Sequence, residues 1–504
     1  MRVRFLAALT TSLLLAVSLA ACSGSSPTAG TSDGDTAAGT TTGSTVTAVD
    51  DATWKVSNAQ NRGRSGIEGF ANHDSVLPGE PVTLYVSSPT KTYTVKAYRM
   101  SGKAKSGALR VWKSGTLTGT RQKATTTDPD TRSTSAEWKP STKVSTQGWT
   151  PGVYLFKLAA TDGSASFIPL IVRSESTKGT VVLAMSNLTW QAYNTWGGKS
   201  AYTDDEQGGL ENREYAVSFD RPYVMGKGTG KYLSYENPVV LRAERLGIPL
   251  SYVTTLDVAT RPGLLDGALG YVSLGHDEYW TGTERDAVET ARDAGTNLAF
   301  LGANISYWQV RLRESPTGPH RIIDIYKSKA KDPVKGKEAT VHFRDIGRPE
   351  RLMTGQMYEC YPAKGTYTVL DPSFFLFANT GAEKGSTYDG IVAVEVDRAY
   401  PVSGTPDTLQ VVAKSATKCG KESTWSTSSY YTVASGAGVF TTGSMGWIFK
   451  GMSPNVPTSS AKFVGTVTDN VLTEMAKGPM GEQHPAEPNL ASLNLPSSNT
   501  TGSA

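Results

Sequence analysis

Apolar and polar positions alternate in short runs from Trp54 to about Arg173. Pro81 to Val86, Tyr93 to Tyr98 and Gly152 to Leu158 each read with a period of two, and Pro78-Gly79 and Pro151-Gly152 break them. That pattern predicts a half-buried strand in each run and an immunoglobulin-like β-sandwich over residues 53–175. From about Gly179 the pattern changes. Thr180 to Met185 is a continuous apolar strand, as a parallel sheet covered on both faces requires. Asn237-Pro238 opens a helix that Gly247 ends, and Ser251 to Thr255 is the next strand. Tyr271 to Leu274 is a strand, Thr283 and Asp286 begin a helix in the manner of a capping box, and Asn297 to Leu301 is a strand again. This is a βαβ unit with a right-handed crossover. Ile391 to Val396, Leu409 to Ala413 and Gly438 to Thr441 read as strands, and Lys462 to Met475 as a final helix. The polar, proline-containing tail 481–504 reads as disordered.

The two ends change the picture in one respect, the compartment. Arg2, Arg4 and the apolar stretch Phe5 to Val17 form a secretory signal over residues 1–21, too short for a membrane span. Leu19-Ala20-Ala21-Cys22 resembles a bacterial lipobox, which predicts lipidation of Cys22 and a place on the extracytoplasmic face of the cell membrane. A Ser/Thr/Gly tract over 22–52 then serves as a flexible tether. Cys360 and Cys419 are the two remaining cysteines, and in an oxidising setting they pair as a disulfide. A net charge of +4 over 504 residues, without a long basic run, gives no reason to expect nucleic acid as a partner.

Candidate chemistry concentrates in Gly275-His276-Asp277-Glu278-Tyr279-Trp280. In open α/β sheets ligands bind outside the carboxyl ends of strands, and His276, Glu278 and Asn304 all lie just past such an end. The one Gly-x-Ser-x-Gly match, Gly30 to Gly34, falls in the tether, where no nucleophile elbow forms. The five histidines show no zinc-type spacing. Oxygen donors remain. Tyr193 and Tyr202 follow the first strand of the α/β part and reach the same edge as Glu278, and phenolate with carboxylate favours a hard ion such as ferric iron. A non-catalytic envelope protein is the competing reading. A glycan-binding module built on Trp190, Trp196, Tyr279 and Trp280 is a third.

Four segments carry a family resemblance: Trp190 to Tyr202, Phe219-Asp220-Arg221-Pro222-Tyr223, Gly275 to Trp280, and Phe300-Leu301-Gly302-Ala303-Asn304. In order and spacing they resemble the C-terminal domain of the N,N-dimethylformamidase large subunit, over roughly residues 176–480. The resemblance implies a doubly wound, glutamine-amidotransferase-like α/β domain with β-rich additions. It also implies a mononuclear iron (Fe3+) held by Tyr193, Tyr202 and Glu278, with His276 as acid/base and Asn304 binding the substrate carbonyl. A small amide-containing substrate, hydrolysed at its C–N bond, follows from the same source, as does a small partner subunit. Asp277 is expected to brace the loop.

Overall fold

The period-two runs are strands, and their buried positions face one another across two sheets. In the computed structural model, which describes residues 45–202, 210–499 and 501, Glu68–Ala71, Pro81–Ser87 and Thr142–Ser145 form one antiparallel sheet. Thr92–Met100, Ala108–Lys113, Gly152–Ala160 and Ala165–Val172 belong to the sheet facing it. Val82, Leu84 and Val86 from the first meet Val95, Ala97, Phe156 and Leu158 from the second in a shared core. Cys22 and residues 1–44 lie outside the described residues. The tract expected as a tether to residue 52 stops short of it. Thr45–Asp50 pairs antiparallel with Ala108–Lys113 as an edge strand, so Thr and Val there follow β propensity and a waiting edge.

The α/β part is built on a nine-stranded mixed sheet. Its parallel half contains β1 (Val181–Met185), β2 (Leu250–Thr254), β3 (Gly270–Gly275) and β4 (Asn297–Gly302). Helices between them are α1 (Asn187–Ala192), α2 (Asn237–Leu246) and α3 (Gly282–Asp293). Then β5 (Met357–Gly365), β6 (Ala393–Arg398), β7 (Gln410–Cys419) and β8 (Glu422–Thr432) precede β9 (Gly438–Thr441), and α4 (Thr458–Met475) follows. The spatial order is β2-β1-β3-β4-β9-β8-β7-β5-β6, parallel from β2 to β9 and antiparallel beyond.

Alternate residues of the parallel strands enter opposite cores, because successive side chains of a strand point to opposite faces. Val181, Leu183, Val272 and Leu301 pack with Val240 of α2 and Phe463 of α4. Val182, Ala184, Tyr271 and Phe300 pack with Val288 and Ala291 of α3 on the other side. Helices on both faces explain why these strands read as continuous apolar runs. The boundary expected at 175/176 is not a break in packing. Phe167 and Ile171 of the sandwich share one core with Val181 and Leu183, and a single contact unit, Ala38–Ala504, takes in all described residues.

Cys360 of β5 and Cys419 of β7 form the expected disulfide, with Cα atoms 6.0 Å apart. The tail expected to be disordered is instead packed. Met480–Gln483 is a helical turn, Leu495 is buried, and Leu490 and Leu493 lie against the same core. Asn489 exchanges two hydrogen bonds with the backbone of Val411, and Arg398 donates to the carbonyls of Pro496 and Ser498. Three leucines and one bidentate amide suffice to dock a segment whose overall composition is polar. Among the described residues no helix is long and apolar enough to cross a membrane.

Candidate active site

The chain leaves β1 to build β2 on one side and returns to build β3 on the other. The crevice this reversal opens, outside the carboxyl ends of β1 and β3, is where open α/β sheets bind ligands. Tyr193 caps the end of α1, directly after β1, and the His276-Asp277-Glu278 loop follows β3. Glycine makes the second placement possible. Gly275 has φ +65°, and a Cβ there would stand 2.5 Å from the Tyr235 carbonyl oxygen. A Cβ on Gly302 of β4 would stand 1.9 Å from the Gly275 carbonyl oxygen, so the ends of β3 and β4 meet at a separation only glycine permits. That contact brings the Asn304 turn beside the His276 loop.

Neighbouring elements clamp the loop. Thr189 Oγ1 of α1 accepts from the backbone N–H of Glu278 at 3.0 Å and of Tyr279 at 3.2 Å. The Glu278 carbonyl accepts from the N–H groups of Tyr307 and Trp308, both at 3.0 Å. Asp277 does brace the turn. Its carboxylate accepts from Ser273 Oγ at 2.8 Å, and its carbonyl from Ser306 N–H at 2.9 Å and Trp280 Nε1 at 3.0 Å. The helix start expected as a capping box at Thr283 and Asp286 lies two residues earlier and is a simple N-cap, without the reciprocal side-chain bond. Thr281 Oγ1 accepts from the Glu284 N–H, because Tyr279–Thr281 is drawn into a short parallel pairing with Trp308–Ser315.

Three predicted ligands meet at the crevice. Tyr193 OH donates to Glu278 Oε2 at 2.6 Å and Tyr202 OH to Oε1 at 2.5 Å, and the two phenol oxygens are 3.2 Å apart. His276 Nε2 lies 2.9 Å from Tyr193 OH and 3.3 Å from Glu278 Oε2. Asn304, in the left-handed region at φ +59°, donates from Nδ2 to Glu395 Oε2 at 2.9 Å and from its backbone to Asp397 Oδ1 at 2.8 Å. The Asn304 amide thus faces a carboxyl, and its Oδ1 has no hydrogen-bond partner.

Sequence reasoning missed Glu395, Asp397, Lys231 and Lys327. Glu395 Oε2 is 4.0 Å from His276 Nδ1. Lys231 Nζ sits 3.8 Å from the Tyr193 ring centre, and Lys327 Nζ 3.3 Å from that of Tyr202, so one ammonium covers each phenol ring.

Burial sets the protonation pattern. It works against ionising Glu278, yet the hydrogen bond from His276, the charge of Lys327 and the Tyr193 hydroxyl hold its carboxyl below the usual range. Burial and then the Glu278 charge push both Tyr193 and Tyr202 well above the ordinary phenol value. The same two causes keep Glu395 protonated near neutral pH. Burial lowers His276, which leaves a neutral imidazole, so the negative charge of Glu278 is balanced by phenol donors and lysine.

Among the described residues no group of three or more His, Cys, Asp or Glu side chains forms a metal cage. The donor set here is different in kind. Two phenol oxygens and a carboxylate converge within hydrogen-bond distance of one another, all hard oxygen donors, and they fit a hard, highly charged cation. The aromatics offered for glycan stacking do not serve that purpose: Trp190, Trp196, Tyr279 and Trp280 are 3%, 1%, 0% and 0% exposed and present no ring face to solvent. A cavity of about 710 Å3 lined by Val258, Leu265, Ala287 and Val310 shares no residue with the tyrosine–glutamate cluster.

No curated protein matches the chain. A solved Paenibacillus sp. cycloisomaltooligosaccharide glucanotransferase, complexed with cycloisomaltoheptaose, matches at 10% identity over 48% of this chain and 28% of that one. Its TM-score of 0.15 supports no argument. A family model matches residues 94–457, starting inside the β-sandwich strand Thr92–Met100 and ending just before α4. The match therefore takes in sandwich strands outside the span 176–480 that carried the resemblance. With most of its length covered, the chain belongs to the N,N-dimethylformamidase beta subunit-like, C-terminal family.

Proposed function

We propose that the chain hydrolyses the C–N bond of a small amide, with Tyr193, Tyr202 and Glu278 as the ligands of a mononuclear ferric ion. The observation that carries this reading is the pairing of each Glu278 carboxylate oxygen with its own half-buried phenol. Bound to these oxygens, such an ion supplies Lewis acidity toward the substrate carbonyl and toward a water. His276 is neutral with its Nε2 proton turned to Glu278, so its unpartnered Nδ1 accepts the proton that the attacking water gives up. Glu395 holds a proton of its own and faces the same imidazole nitrogen, so it is placed to deliver its proton to the departing amine. Asn304, fixed by Glu395 and Asp397, orients the carbonyl.

The same reading makes the sandwich immunoglobulin-like and the nine-stranded part amidotransferase-like. It places the chain on the extracytoplasmic face of the membrane through a lipid on Cys22, with a small second subunit as a further partner.

The test is metal analysis and visible absorption of the purified protein, followed by hydrolysis assays on simple amides. Ferric loading is expected to give a phenolate charge-transfer band and amide turnover. Glu278→Ala is expected to abolish both, while Tyr279→Phe leaves the band in place. A colourless protein after ferric loading, or a Glu278→Ala variant that still takes up iron, would sink the assignment.

A further inference from the structure

Lys231 is a mostly buried side chain near the crevice that the proposed chemistry leaves without a task. It is 7% exposed, yet among the described residues its ammonium has neither a hydrogen-bond nor an ion-pair partner. Two rings lie against it, Tyr193 at 3.8 Å and Tyr235 at 5.0 Å, and the Glu278 charge reaches it only through space. Lysine is seldom buried unpaired, because desolvating an ammonium costs several kcal/mol that ring contacts of roughly 0.5–2 kcal/mol do not repay. On the opposite flank, the Lys327 ammonium is fully buried with no hydrogen-bond partner, over Tyr202. Glu278, the carboxylate whose charge acts on both, is already committed to two phenols and the imidazole. Glu395 is neutral and bonded to Asn304.

The Lys231 flank also leads outward. Tyr235 stacks on Phe449 at 4.6 Å and 4°, both rings are half-buried, and the exposed Lys450 lies over Phe449 at 4.7 Å. A file of cation and ring thus runs from solvent to the Tyr193 phenol, with positive charge at each end.

Resting on the hydrolase reading above, we infer that the substrate carries a carboxylate beside its scissile amide, and that Lys231 is the residue that receives it. A neutral dialkyl amide would leave Lys231 unpaired. A carboxylate entering past Tyr235 and Phe449 meets an ammonium to which no carboxylate of the chain is bonded, and the amide is then held over the Glu278 cluster. The charge-assisted hydrogen bond so formed is of the stronger class.

The test compares two compounds that differ only in charge, N-acetylglycine and N-acetylglycinamide, by titration calorimetry on the full chain, with acetate as a third probe. N-acetylglycine is expected to bind at least about tenfold more tightly than the neutral amide, the discrimination of one well-made charged contact. Lys231→Met should erase that difference and Lys231→Arg should keep most of it. The wild-type comparison needs no variant, so it stands even if Lys231→Met misfolds. Equal binding of the two amides overturns the inference, as does a preference that survives in a folded Lys231→Met protein. Acetate binding as tightly as N-acetylglycine also overturns it, since Lys231 would then hold a product carboxylate. Turnover separates the two proposals. N-acetylglycine that binds selectively but is never cleaved by the ferric protein refutes the hydrolase and not the recognition. Cleavage of neutral amides without an anion preference does the reverse.

Discussion

Burial alone would drive the Glu278 carboxyl toward its neutral form. It stays ionised because two phenols, an imidazole nitrogen and a nearby lysine share its charge. The arrangement carries a consequence for metal uptake. Tyr193 and Tyr202 each hold a proton well above the ordinary phenol value, and each must release it to become a ligand. Ferric affinity is therefore expected to strengthen by about tenfold per pH unit for each proton released, which chelator competition at several pH values reads directly. An affinity independent of pH would mean that the phenols are not ligands. The tyrosines, Glu278, His276 and Asn304 were legible because they sit at strand ends inside recognisable segments. Glu395 and Asp397 were not. In Ala-Val-Glu-Val-Asp-Arg, alternation assigns the acids to a solvent face, but β6 turns that face toward Asn304. Lys231 and Lys327 look like surface lysines in any pattern, and nothing local marks them as covered by the rest of the chain.

At the scale of elements, the strands and helices of the α/β part were readable from period and caps, while short pairings were not. The start of α3 was misplaced because Tyr279–Thr281, three residues long, gains its strand character only from Trp308–Ser315 far along the chain. Propensity over so short a run carries no such information. The meeting of β3 and β4 gives the sharpest test at this scale. Gly302→Ala sets a methyl 1.9 Å from the Gly275 carbonyl oxygen, and backbone cannot swing aside as a side chain does. The substitution is expected to cost at least roughly 1–3 kcal/mol by urea denaturation and to displace the Asn304 turn. An unchanged midpoint would show that the two strand ends are not in contact.

The whole molecule should lose stability as pH rises through neutrality. Burial raises the Asp74 carboxyl to about 6 and those of Asp277 and Asp397 to about 7. Their folded pKa values lie above those of the unfolded chain, so the native state keeps protons the unfolded state has already released. The associated stability is present in full below the ordinary carboxylate value and declines as pH climbs to about 7. Burial lowers Lys327 to about 7 and Lys231 to about 8, which acts in the opposite sense. Between pH 6 and pH 8 the net loss is therefore expected to be roughly 1 kcal/mol, measured as a lower urea midpoint at the higher pH. A midpoint that climbs over this range would mean that these acids are ionised in the fold. The sandwich and the mixed sheet were both visible in the pattern, but their shared core was not. Phe167 and Ile171 read as ordinary strand interior, and only the assembled chain shows that they also face Val181 and Leu183.

The docking of residues 489–499 also bears on how the crevice is held from behind. Arg398 of β6, one residue from Asp397 and three from Glu395 on the same strand, receives its carbonyl partners from Pro496 and Ser498. Residues 489–499 thus buttress, from behind, a strand that carries site residues. A backbone nick ahead of Asn489 that let this segment leave would strip the Arg398 guanidinium of two acceptors and leave it Glu359 alone. Proteolysis well away from the crevice would in this way be felt inside it.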